Sequence, residues 1–171
     1  MLGEVADIDD KKMVVTEKDL IEKSHNRIRV KCPIFNECGG CDFLHIHYDH
    51  QVEMKETYVK ELFTKAGFNP TFYPMIKSDD PTFYRHKVVL SATEKKKKLR
   101  LGLYRESTRE VIPFIDCKIH HKSTHAIMAS VEELLNQFKI PAYDLKNNQG
   151  MIKHVLIRVA HETSKVLLVF V

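Results

Sequence analysis

Three cysteines form a C-x5-C-x2-C run at Cys32, Cys38 and Cys41, with Gly39 and Gly40 inside it, and the fourth cysteine of the chain stands far downstream at Cys117. Thiolates are soft donors, and four of them complete either a tetrahedral zinc site or the corners of an iron–sulfur cubane. The paired glycines let the backbone close tightly round such a centre and aim amides at its sulfurs, which raises the potential of an iron–sulfur cluster. His45 offers an alternative: Cys32, Cys38, Cys41 and His45 make a Cys3His set of the kind zinc modules use to hold single-stranded RNA. A dithiol redox pair at Cys38 and Cys41 ranks third, because such pairs usually open a helix directly after a strand. Spacing alone leaves iron–sulfur and zinc about even.

The elements that must position these residues can be read from periodicity. Residues 32–47 have almost none, so the cysteine-rich stretch is expected to be an irregular loop that needs a bound metal to stay ordered. Apolar positions Val52, Val59, Leu62, Phe63 and Ala66 recur at helical spacing, with Asp49 as the expected cap and Gly67 as the stop signal. A second amphipathic helix is expected from Ser123 to Phe138, carrying Ile127, Met128, Val131, Leu134 and Leu135. Strand patterns run from Tyr84 to Thr93, Leu99 to Arg105, Val111 to Ile115, Ile152 to Val159 and Val166 to Val171. Cys117 is then expected on a distant strand, which ties the loop to the sheet. The fold class is α+β: a mainly antiparallel sheet packed with two amphipathic helices, plus the cysteine-rich loop. Residues 1–31 read as short strands around Val5 and Ile8, Met13 to Val15, and Ile28 and Val30, too few to close a domain. The last apolar run, Val166 to Val171, reaches the end of the chain without a cap or polar tail, which reads as a chain cut before a further domain.

Composition bounds the function only loosely. The chain has 171 residues with 43% apolar and 29% charged, and 27 Lys and Arg against 23 Asp and Glu give a formal charge of +4. That balance permits nucleic-acid binding without demanding it. No apolar run reaches the roughly 18 residues needed to span a bilayer, so a soluble, cytoplasmic protein with no membrane partner is expected. Nothing in the pattern implies an obligate protein partner.

A family resemblance lies in Cys32-Pro33-x-Phe35-x-x-Cys38-Gly39-Gly40-Cys41-x-x-x-His45-x-x-Tyr48-x-x-Gln51-x-x-x-Lys55, which resembles the signature of the RNA (uracil-5-)-methyltransferases. Tyr84-Arg85-x-Lys87 looks like the YRNK-type strand of that family, with His86 in place of the usual Asn. Gly102-x-Tyr104 with Ser107 looks like its following hairpin, and Ile115-x-Cys117 like the segment that supplies its fourth cluster ligand. The match runs over residues 24–171. It implies a 4Fe-4S cluster on Cys32, Cys38, Cys41 and Cys117 that organises structure and RNA contact. It also implies ribosomal RNA, specifically 23S rRNA, as the substrate in which the full-length enzyme forms 5-methyluridine. Residues 1–23 would be the end of a small RNA-binding barrel and residues 24–171 a central domain that handles iron–sulfur and RNA. The catalytic domain, which binds S-adenosylmethionine, would be missing, so no catalytic residue is expected in this chain.

The remaining candidates have plain readings beside their sharp ones. Lys95, Lys96, Lys97 and Lys98 can grip phosphates, yet a charged turn between strands is more often a soluble hairpin tip. Arg85 and Lys87 share one face of the expected strand, where they could meet RNA. Phe35, Phe43, Tyr48, Phe83 and Tyr104 can stack bases, but such aromatic residues beside a cluster more often seal it from water.

Overall fold

The computed structural model describes the backbone of residues 2–9 and 14–171, with side chains from residue 22 onward. Met13, part of the second expected N-terminal run, lies outside the described residues. The chain divides into two compact units, Met1–Arg29 with Phe43–Ile76, and Val30–Asp42 with Lys77–Val171.

In the first unit β1 (Leu2–Asp9) and β2 (Val14–Glu22) form an antiparallel hairpin whose register slips at several points. Ile28 and Val30, expected in a strand, lie in irregular chain; their neighbour Arg27 makes an isolated bridge to Ile46. The helix α1 (Tyr48–Lys65) is capped by His47 rather than Asp49, which sits in the first turn, where its charge faces the positive end of the helix. Its N-terminal approach is tied by the Gln51 side-chain amide, which donates to the carbonyls of Phe43 and Ile46 at 3.0 and 2.8 Å. Gly67 ends the helix at φ +80: its N–H reaches Thr64 O, the N–H of Phe68 reaches Phe63 O, and the Phe63 and Phe68 rings meet edge to face. Of the expected apolar stripe only Val52 is buried, and Val59, Leu62 and Phe63 are exposed.

The second unit holds a five-stranded antiparallel sheet in the order β5-β4-β3-β6-β7, built from β3 (Lys87–Lys95), β4 (Lys98–Tyr104), β5 (Val111–Pro113), β6 (His154–Val159) and β7 (Val166–Phe170). Alternation sets its inner face: Val88, Leu90 and Ala92 of β3, Leu99 and Leu101 of β4, and Val155, Ile157 and Val159 of β6 are buried together. The helix α2 (Ser123–Gln137) covers that face with Met128 and Val131. β5 stops at Pro113, two residues sooner than expected, since proline has no N–H to continue the ladder. Gly102 allows the close approach of β4 and β5, because a Cβ there would stand 2.3 Å from the Ile112 carbonyl oxygen. On the flank of β4 not paired with β3, α2 side chains complete the hydrogen bonding. Asn136 accepts from Leu99 N–H at 2.8 Å and donates to Leu99 O at 2.9 Å, and Glu132 accepts from Leu101 N–H at 2.6 Å. Among the described residues no helix is long and apolar enough to cross a membrane.

Candidate metal centre

The cysteine loop, residues 30–42, is a succession of turns within the second unit. The amides of Glu37 and Cys38 both donate to Ile34 O, which winds the chain between Cys32 and Cys38. The far side is stapled to the hairpin after β4: Cys38 bridges Arg105, the Glu106 amide donates to Glu37 O at 2.9 Å, and the Arg105 guanidinium meets Glu37 at 2.6 Å and Glu110 at 2.8 Å. The glycines serve this docking by their size, neither having a positive φ. A Cβ on Gly39 would lie 3.0 Å from Glu106 Cγ, and one on Gly40 would lie 3.4 Å from Cys38 Sγ.

Cys117 lies in irregular chain past Phe114, not on a strand, and is buried in the core with Cys41 and Ile34 packed against it. Its amide donates to His125 Nε2 at 3.0 Å. The backbone amides of Ile119 and His120 near its sulfur favour the thiolate. Burial, first of all, and the neighbouring Cys32 and Cys38 nevertheless push the Cys117 thiol up, with the two amides opposing. The Cys41 thiol is pushed up to about 11 by burial and then by Cys117, Cys38 and Cys32, with Arg85 pulling the other way. Cys41 and Cys117 therefore feel the charge of the other cysteines. As they stand they do not converge: among the described residues no three His, Cys, Asp or Glu side chains form a group that would hold a metal ion. The two facts agree, because Coulomb forces act well beyond the roughly 2.3 Å of a metal–sulfur bond. Four thiols within one unit are the donor type that a thiophilic metal or an iron–sulfur group takes, and closing them round one would need the loop to move.

No family model matches the chain. Curated relatives do: an uncharacterized RNA methyltransferase of Clostridium acetobutylicum is 33% identical over 157 residues, 90% of this chain and 34% of the relative. One of Halalkalibacterium halodurans is 30% identical over 155 residues, again 90% of this chain and 34% of the relative. Over nine tenths of its length the chain is similar to these RNA methyltransferases. It spans about a third of the length of these relatives. Its fold is shared with the tRNA (uracil-54, C5)-methyltransferase of Pyrococcus abyssi, solved in complex with S-adenosyl-L-homocysteine. The TM-score is 0.68 at 21% identity, over 97% of this chain and 37% of the other.

The other expected site residues are distributed unevenly. His45, the alternative zinc ligand, belongs to the first unit, where its carbonyl accepts from Ile28 N–H at 2.9 Å. Arg85 precedes β3 instead of lying on it, in an isolated bridge to His120, and is exposed. Lys87 opens β3 directly opposite Arg158 of β6, so two cations share one exposed ladder position. Arg158 escaped the sequence reading because strand register is not written in local pattern. Lys96 and Lys97 form the two-residue β3–β4 turn with φ of 52 and 62, flanked by the opposed pair Lys95 and Lys98. The His86 substitution leaves its buried Nδ1 without a hydrogen bond; the ring instead meets His161 edge-on at 5.3 Å.

Proposed function

We propose that this chain is the portion of a 23S rRNA (uracil-5-)-methyltransferase that binds a 4Fe-4S cluster and handles RNA, the methyl transfer from S-adenosylmethionine to uracil C5 belonging to a further domain of the full-length, cytoplasmic enzyme. The observation that supports the reading is that Cys117 and the C-x5-C-x2-C loop fall within one unit, with Cys41 packed against the core cluster that contains Cys117. Cys32, Cys38, Cys41 and Cys117 are the ligands. When bound, the cluster supplies a cross-link between the loop and the core and a fixed local charge. The protein does the rest: the amides of Ile119 and His120 favour the Cys117 thiolate, His125 fixes its backbone, and Glu37 with Arg105 fastens the loop. Arg85, Lys87, Lys95, Lys96, Lys97 and Lys98 contact RNA phosphates, and Arg158 joins them through its pairing with Lys87.

Support for RNA methylation comes from the similar curated proteins, and for the uracil-C5 chemistry from the motif resemblance and from the neighbour that shares the fold. The choice of ribosomal over transfer RNA rests on the resemblance of the four-cysteine pattern to members that modify large-subunit RNA. Disrupting the gene in its source organism and mapping 5-methyluridine by mass spectrometry tests it. One 5-methyluridine disappears from 23S rRNA with tRNA unchanged if the reading holds, and loss from tRNA alone overturns the substrate assignment.

A further inference from the structure

A pocket of about 330 Å³ opens beside the cysteine loop, lined by Cys38, Gly39, Gly40 and Arg85 and by the segment from Leu103 to Thr108. Only Cys38 of the four thiols lines it, so it adjoins the metal centre without being its seat. The volume lies at the small end of ligand sites, enough for a base with its ribose. We propose that it holds one unstacked nucleotide of an RNA strand, the base against the ring of Tyr104 and the phosphate at Arg85. The inference rests on the reading of the chain as part of an RNA methyltransferase.

The lining assigns the parts. Tyr104 ends β4 with 38% of its surface exposed, so it does not serve wholly as packing and leaves an aromatic face to solvent. Two arginines line the pocket, but they are not equivalent. Arg105 is already bound between Glu37 and Glu110 and acts as wall. Arg85 is exposed and, among the described residues, has no carboxylate partner, which leaves its guanidinium fork for a phosphate. Glu106, whose side chain lies against Gly39, also lines the pocket and brings an acceptor-only group to a site that would otherwise suit any anion. A carboxylate repels a bare phosphate but accepts an N–H from the edge of a base, so the pair of Arg85 and Glu106 matches a nucleotide better than an inorganic anion. Ser107 sits at φ 58, a left-handed conformation that a serine adopts at a cost. Its hydroxyl has no partner among the described residues, whereas that of Thr108 is bound to Arg105 O. A free hydroxyl there suits a ribose 2′-OH, the group that separates RNA from DNA.

The test is fluorescence anisotropy with a labelled single-stranded RNA of about twelve nucleotides, within the span of known single-strand sites, on the chain and on Tyr104→Ala and Tyr104→Phe. Tyr104→Ala is expected to weaken binding by about tenfold or more, as loss of one base–aromatic stack does, and Tyr104→Phe to bind within about twofold of the parent. Crosslinking of 4-thiouridine RNA to the unmodified chain is expected to label the peptide carrying Tyr104, whatever the folding of the variants. A Tyr104→Ala protein with unchanged melting that binds RNA as the parent does, or crosslinks that never reach this peptide, would overturn the inference while leaving the family function intact. If the parent chain binds no RNA, the assignment of RNA contact to it fails and the inference falls with it.

Discussion

The backbone N–H of Cys117 donates to Nε2 of His125 at 3.0 Å, so the first turn of α2 sets the position of a cysteine six residues before that helix begins. In that bond Nε2 is the acceptor, and Nδ1 stands 3.9 Å from Asp116 Oδ1. Replacing His125 by alanine leaves a buried amide unpaired and is expected to cost about 1 kcal/mol, together with looser metal retention. Urea unfolding and iron content of His125→Ala check both, and unchanged iron content would remove His125 from the support of the site.

Asn136 and Leu99 form a second clasp, in which one side-chain amide satisfies both backbone groups of a strand residue. Asn136→Ala should destabilise by about 1–3 kcal/mol, because Leu99 is buried and its N–H and C=O would have no water to turn to. Asn136→Asp keeps the acceptor and loses the donor, so its stability should fall between the two. An Asn136→Ala protein as stable as the parent would mean that the clasp contributes nothing.

The β3–β4 turn separates a structural from a functional reading of its lysines. Two non-glycine residues at positive φ and the like charges of Lys95 and Lys98 in register all oppose the hairpin. Lys96→Asn with Lys97→Gly supplies the residues this turn prefers and should raise the melting temperature by roughly 2–4 °C. If the lysines grip phosphate, the same variant binds RNA more weakly and its salt dependence falls by about one counterion per lost contact. A more stable hairpin with undiminished RNA affinity would assign these lysines to solubility alone.

His120 is buried with its Nδ1 unpartnered, and burial, then Arg85, then His125, lowers its pKa from 6.5 to about 4. The unfolded chain therefore takes up this proton at a higher pH than the folded one. The stability tied to His120 is fully present above pH 6.5 and is lost as the pH falls through 6.5 toward 4. In the metal-free protein the melting temperature should drop over that window, and His120→Leu should flatten the drop. An identical acid limb in the variant would place the sensitivity elsewhere.

The sheet was legible because β3, β4 and β6 alternate cleanly: Val88 and Leu90, Leu99 and Leu101, and Val155 and Ile157 all point to one core. Both helices follow from their periodicity, but the first starts a residue before its expected cap, since an acid in the first turn serves the helix dipole as well as a cap does. At the site, the cysteine spacing and the family motif were readable in the sequence. The position of Cys117 in a loop, the staple between Glu37 and Arg105, and the pairing of Lys87 with Arg158 were not, because each depends on register between segments far apart in the chain. The exposure of Tyr104 was likewise invisible, an aromatic at the end of a strand having the same pattern whether it packs or faces solvent.

The central claim is that Cys117 completes a cluster site with Cys32, Cys38 and Cys41. Anaerobic purification, with visible absorption and iron, sulfide and zinc analysis of the chain and of Cys117→Ser, tests it most directly. The account predicts broad visible absorption with about four irons and matching sulfide per chain, lost or much reduced in Cys117→Ser. A colourless protein holding one zinc and indifferent to Cys117 would contradict it.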